Sequence, residues 1–185
     1  MKELIARLKD IAALSEELLQ QLYSIVSDKP YKNDDYFLKA GEVDRHIWFI
    51  EKGLVVIYRD SKAGRKVTHI LGAGDFVIAT DSFSSGCPTK DNILVLEDTV
   101  TWRTTRADLM GTCKMHPEFF IHYTTIEGIY RKLESKFNSQ SPKERFDELW
   151  DTRRDLFNRV KKELLASYLG MSVKTFDSLR RDKLR

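Results

Sequence analysis

Cysteine is nearly absent from this sequence, and the two that occur, Cys87 and Cys113, cannot build a disulfide framework. They read as free thiols in a reducing compartment, so the cytoplasm is the expected location. Long apolar runs are missing too. The longest, Ile47-Trp48-Phe49-Ile50 and Leu54-Val55-Val56-Ile57, fall far short of the roughly 20 residues that span a bilayer, so no membrane partner is expected. Lys2, Glu3, Arg7, Lys9, Asp10, Glu16 and Glu17 interrupt the first 26 residues, which excludes a signal-peptide core there. Catalytic signatures are lacking as well: no paired-acid motif, no nucleophile elbow and no phosphate-binding glycine loop occurs, and an enzyme is not expected.

What is present is a chain of 185 residues, 42% hydrophobic and 32% charged, enough for one large or two small domains. Its net charge of +3 conceals an asymmetry. Residues 1–100 hold 13 Lys/Arg against 16 Asp/Glu, whereas residues 151–185 hold 10 against 5. A basic C-terminal end beside an acidic body suits nucleic-acid binding by that end, and suits equally a solvated basic helix.

The text changes period along the chain. Leu4, Ile5, Leu8 and Ile11, then Leu18, Leu19, Leu22 and Ile25, are spaced as two short helices with Ser15 as a cap between them. From Tyr36 to Thr105, short runs rich in Val, Ile, Thr and aromatics alternate with glycines, as in an antiparallel sandwich or barrel. Residues 60–64 form a hairpin turn and residues 84–88 a longer loop. After Pro117, residues Phe119, Tyr123, Ile126, Tyr130, Leu133 and Phe137 follow at steps of four and three, a heptad seam. Its partner is either a symmetry mate or the chain's own β-domain. On the first reading, Tyr130→Asp splits a homodimer. Gly128 weakens this helix unless close packing requires it.

Ser141-Pro142 opens a further helix, with Phe146, Leu149, Trp150, Leu156 and Phe157 on its apolar side. The segment from Lys162 to Arg181 then reads as a helix-turn-helix, with a plain helical hairpin as the alternative. Ala166 is small enough for a close crossing, Gly170 supplies the left-handed stop, and Ser172 caps the second helix. Leu165, Leu169, Met171, Phe176 and Leu179 fill the shared core. Val173, Lys174, Asp177, Ser178 and Arg181 face away from it as candidate groove readers.

In this order the parts resemble the Crp/Fnr family of bacterial transcription regulators over nearly the full chain. The likeness runs through Gly41-Glu42 with the Ile47 to Val55 stretch, Gly74-Asp75-Phe76, His116-Pro117-Glu118-Phe119, Pro142-Lys143-Glu144-Arg145-Phe146, and Leu165 to Arg181. It implies an α+β chain in three parts. Residues 1–115 would be an antiparallel β jelly roll of cyclic-nucleotide-binding type with flanking helices, a sensor domain. Residues 116–140 would be a long dimerisation helix, and residues 141–185 a helix-turn-helix DNA-binding domain. No full wing is expected, since the sequence stops four residues after the motif. The implied partners are double-stranded DNA, a second copy of the chain, RNA polymerase and a small-molecule effector of unknown identity. Ser172 and Thr175 would bond phosphate, Lys174 and Arg181 would approach bases or phosphates, and Arg180, Lys183 and Arg185 would add electrostatic grip.

Several positions depart from the family pattern. Members that bind cyclic nucleotides carry Gly-Glu after the Gly-Asp-Phe equivalent and an Arg-Ser/Thr pair further on. Here the matching effector pocket is Ile78, Ala79, Thr80, Asp81 and Ser82, followed by Thr89 and Lys90, with no arginine at hand. Lysine cannot replace arginine's bidentate hold on phosphate, so a cyclic nucleotide is not the expected ligand. No cysteine precedes Cys87, which excludes the family's iron–sulfur mechanism, and Cys113 with His116 lacks a second ligand pair for a metal. No cofactor is expected. Asp177-Ser178 stands where many members have Ser-Arg reading guanine. The alternative function is therefore an effector-sensing or protein-interaction module that has lost specific DNA binding.

Overall fold

A computed structural model describes residues 1–62 and 64–185, with every side chain there except those of Leu133, Glu134, Lys136 and Asn138. Ala63 of the expected hairpin turn lies outside the described residues. Two helices open the chain, α1 (Lys2–Lys9) and α2 (Glu16–Ile25). Ser15 Oγ accepts from Leu18 N at 3.2 Å and caps the second. Strands β1 (Ser27–Tyr31), β2 (Tyr36–Leu38), β3 (His46–Ser61), β4 (Gly64–Gly72) and β5 (Phe76–Val77) follow. Helix α3 (Thr80–Ser85) and strand β6 (Asn92–Thr105) complete the β region. Helix α4 (Arg106–Met115) and a 3-10 turn (Pro117–Phe119) lead into α5 (Phe120–Ser139). The C-terminal helices are α6 (Pro142–Thr152), α7 (Leu156–Arg159), α8 (Lys162–Leu169) and α9 (Val173–Lys183). Among the described residues no helix is long and apolar enough to cross a membrane.

The strands form one six-stranded antiparallel sheet in the order β1-β6-β3-β4, with β2 on β6 and β5 on β3. β3 and β6 lose register between Ile50 and Val55. Gly53 sits in that break at φ +118°, and a Cβ there would lie 2.1 Å from Thr99 Oγ1. Only glycine fits so close an approach.

Alternating side chains carry the sheet's two faces into two cores. Ile50, Val55, Ile57, Ile93 and Val95 pack with residues of α1, α2, α4 and α5. Leu54, Val56, Tyr58, Val67, Ile70 and Leu94 pack with residues of α6 to α9. The C-terminal helices thus have no core separate from the sheet. Polar ties add to this apolar contact: Arg153 donates to Ile70 O at 3.1 Å, and Arg159 reaches Glu97 at 2.5 Å. Ser167 Oγ accepts from Val67 N at 3.0 Å and donates to Arg65 O at 2.7 Å.

The heptad seam of α5 faces inward. Phe119, Tyr123, Ile126 and Tyr130 are all under 9% exposed and belong to the first core, and the Tyr130 hydroxyl donates to Phe76 O. Phe137 is half-buried against the Tyr168 ring, 5.1 Å between centroids, and Leu133's side chain is outside the described set. The expectation of a dimer seam is corrected here: an apolar stripe fits any apolar surface of matching length, and the nearest is the chain's own sheet. Tyr130→Asp would unfold the first core rather than split a dimer.

Two groups, Asp44 just ahead of β3 and His69 within β4, titrate away from their usual ranges. Asp44, fully buried, accepts from His46 N at 3.0 Å and Ala79 N at 2.8 Å. Burial pushes its carboxyl up to about 6, against the pull of those two bonds. Burial holds His69 down to about 4, with Asp91 opposing.

Two predictions follow from these contacts. Ser167→Ala leaves both β4 groups without their partner and should cost on the order of 1–2 kcal/mol in urea unfolding. Acidification should act on the other two groups in opposite directions. Between pH 6.5 and about 4 the unfolded chain protonates His69 and the folded one does not, so stability falls as pH drops. Between about 6 and 3.8 the folded chain protonates Asp44 and the unfolded one does not, so stability rises as pH drops. His69→Asn should therefore shift the urea midpoint upward, relative to wild type, on going from about pH 7 to about pH 5. An unchanged difference between the two chains would refute the assignment of His69 as a buried neutral group.

Candidate functional site

The start of α3 borders a cleft of about 340 Å³ closed by β3, β4 and α5. Of the expected pocket residues, Ile78, Ala79, Thr80 and Asp81 line it. The other three do not. Ser82 is buried, its Oγ accepting from Asp44 N at 2.9 Å and donating to Cys87 O at 2.5 Å. Thr89 is also buried, and its Oγ1 accepts from Asp91 N at 3.0 Å. Lys90 is exposed and lies off the lining. These three are corrections to the expected pocket: two hold the loop together and one points to solvent.

An arginine is present after all. Arg59 reaches the cleft from β3, and its Nε and Nη2 bind the two Asp91 oxygens at 2.6 and 3.1 Å. Arg131 comes from α5 and meets Glu127 at 3.4 Å, while Glu127 also accepts from the Tyr123 hydroxyl at 2.6 Å. Both cations are thus engaged by carboxylates, and with Asp81 the lining carries three acids against two arginines. A phosphate entering here would meet net negative charge. Sequence spacing around residues 78–90 could not reveal Arg59, because strand pairing delivers it from a distant stretch. The only sequence signal was its place at the solvent end of the apolar run in β3.

Among the described residues, no three His, Cys, Asp or Glu side chains are grouped to hold a metal ion. His116 Nδ1 stands 3.6 Å from Glu118, and Cys113 is half-buried, with burial pushing its thiol up.

At the other end, Gly170 ends α8 at φ +72° and Ser172 caps α9, accepting from Thr175 N at 3.1 Å. Ala166 is 1% exposed where the helices cross, and Phe176 is fully buried between the rings of Phe146 and Phe157, 5.7 Å from each. Lys174, Thr175, Ser178 and Arg181 lie exposed on α9, and Val173 and Arg180 are half-buried. Asp177 does not project alone: Lys162 of α8 donates to it at 2.9 Å. Arg180 donates to Asn158 at 3.3 Å, and Arg181 Nε to Asp177 O at 3.3 Å. Lys162, Asn158 and Asp147, which pairs with Lys183 at 2.9 Å, are participants the sequence reading missed. Part of the basic surplus therefore fastens helices together, leaving Lys161, Lys174, Arg181 and Arg185 exposed.

Residues 28–116 match the family model of the cyclic nucleotide-binding domain. No curated protein matches the chain by sequence. Among solved structures, FixK2 from Bradyrhizobium japonicum has a TM-score of 0.74 at 14% identity, with 85% of this chain and 84% of that chain covered. The Catabolite Activator Protein of Thermus thermophilus gives 0.59 at 16% identity, covering 95% and 85%. The sensor domain of the transcriptional regulator DNR from Pseudomonas aeruginosa gives 0.57 at 15% identity, covering 75% and 91%. At such identities the likeness is one of fold: the antiparallel sheet with its flanking helices is that of a cyclic nucleotide-binding domain.

Proposed function

We propose that this chain is a homodimeric, sequence-specific DNA-binding transcription regulator whose sensor domain responds to something other than a cyclic nucleotide. The observation that carries this reading is the exposed basic face of α9. Lys174, Ser178 and Arg181 share it, on a helix capped at Ser172 and anchored through Phe176. A short capped helix held by an aromatic anchor, with its outer face basic and unobstructed, is what entry into a major groove requires. The Lys162 contact supports it further. It draws the Asp177 carboxylate toward α8 and offsets a charge that would otherwise repel phosphate. The fold likeness to the Catabolite Activator Protein and to the DNR sensor domain agrees with a regulator, and RNA polymerase is the further partner that the family resemblance implies.

The dimer of this proposal uses the outer face of α5. Phe120 and Ile121 are 49% and 53% exposed there, beside exposed Thr124. Gly128 follows on the same side, where an added Cβ would meet nothing within 4 Å. A mid-helix glycine costs about 1 kcal/mol, and no contact among the described residues calls for it. A second α5 approaching closely would. The carboxylates in the α3 cleft likewise support a ligand that is not a cyclic phosphate.

The opposed pairs on the C-terminal helices favour a second reading, an interaction module without specific DNA binding, and one experiment separates the two. Selection from a random duplex pool should enrich a two-fold-symmetric site. On that site Lys174→Ala with Arg181→Ala should weaken binding and lower the salt slope by about 2. Failure to enrich any symmetric site would favour the second reading. For the dimer, Ile121→Asp should give a monomer in sedimentation, and an unchanged dimer would exclude this face.

A further inference from the structure

A second and larger cleft, about 470 Å³, opens between β4, the end of α5, α6 and α8. Its volume falls in the range that small-molecule ligands fill. Leu71, Leu149 and Leu169 supply apolar lining, with the Phe137 and Tyr168 rings along one wall. Its polar groups are under-used. Arg145 stacks 3.8 Å over the Phe137 ring, donates through Nε to Phe137 O at 2.9 Å and through Nη1 to Leu169 O at 3.4 Å, and makes no other hydrogen bond among the described residues. Arg153 donates through Nη1 to Ile70 O at 3.1 Å and stands 4.0 Å from Asp75. A guanidinium has five N–H donors, so each of these keeps several uncommitted. His69, which lines both clefts and packs on the Tyr130 ring, has a buried Nδ1 without a hydrogen-bond partner, and the Tyr168 hydroxyl has none among the described residues. With Lys66, the lining carries three cations against Asp75 and Glu148, the reverse of the balance beside α3.

We propose that this cleft binds a small aromatic carboxylate. Guanidinium donors match the two carboxylate oxygens in a way a point charge cannot. The flat body of the ligand lies against Tyr168, since the Arg145 guanidinium, 3.8 Å from its centroid, already covers a face of the Phe137 ring, and the Tyr168 hydroxyl serves its polar edge. Because the walls belong to the sheet on one side and to α6 and α8 on the other, an occupant fixes their spacing and with it the carriage of α9. That regulatory meaning rests on the DNA-binding reading, whereas the binding itself does not.

The test is calorimetric titration of the full chain with benzoate, and with benzamide as its uncharged isostere. Benzoate should give saturable heat and benzamide should bind about tenfold more weakly or not at all. Arg153→Gln should weaken benzoate by about tenfold or more, and Tyr168→Phe by a few-fold with an unchanged melting temperature. Should Arg153→Gln fail to fold, Lys66→Gln takes its place, since Lys66 is exposed and bears on no core. No heat from benzoate, or equal binding of benzamide, overturns the proposal. Arg59→Gln separates the clefts: it abolishes binding only if the anion sits beside α3, which also overturns it. Benzoate that binds yet leaves affinity for the selected duplex unchanged refutes the coupling and spares the site.

Discussion

Strand β3 sends Val55 and Ile57 to one side of the sheet and Leu54, Val56 and Tyr58 to the other, and none of the five is more than 4% exposed. A sheet apolar on both faces cannot stand in water with either face bare, at roughly 1.5–3 kcal/mol for each large side chain left uncovered. Two-sided burial therefore dictates the rest. The N-terminal helices and α5 cover one face, and α6 to α9 cover the other. The helices that carry the basic face are a layer of the same body that contains the sensor-type sheet.

This arrangement changes what a signal would have to do. A reading head on a free hinge is moved by changing the hinge. Here the Ser167, Arg153 and Arg159 contacts, and the apolar layer beneath them, hold α6 to α8 to β4 and β6. Motion of α9 must be a shift of the layer across the sheet, or a repacking of it, and the cleft beneath Arg145 and Arg153 lies along that seam.

Much of the fold was legible because periodicity records burial. The two opening helices, the β region, the long helix after Pro117 and the capped turns at Ser141, Gly170 and Ser172 all appear where spacing and cap residues place them. What periodicity leaves open is which surface an apolar stripe meets. Tyr123, Ile126 and Tyr130 read equally well against a twin helix or against β5, and only three-dimensional packing decides. The site was less legible for a related reason. Ile78 to Asp81 are neighbours in sequence and line their cleft, but Arg59 and Arg131 reach it from β3 and α5. Asp177 was ambiguous as a lone acid and acquires a meaning only through Lys162, fifteen positions earlier and one helix away.

The Ser167 hydroxyl occupies an N–H and a C=O on the outer side of β4, the last strand in its sheet. Those groups are what an edge strand offers to a neighbouring molecule, and the serine takes them out of circulation. Any excursion that lifts α8 away bares a ready template for strand addition.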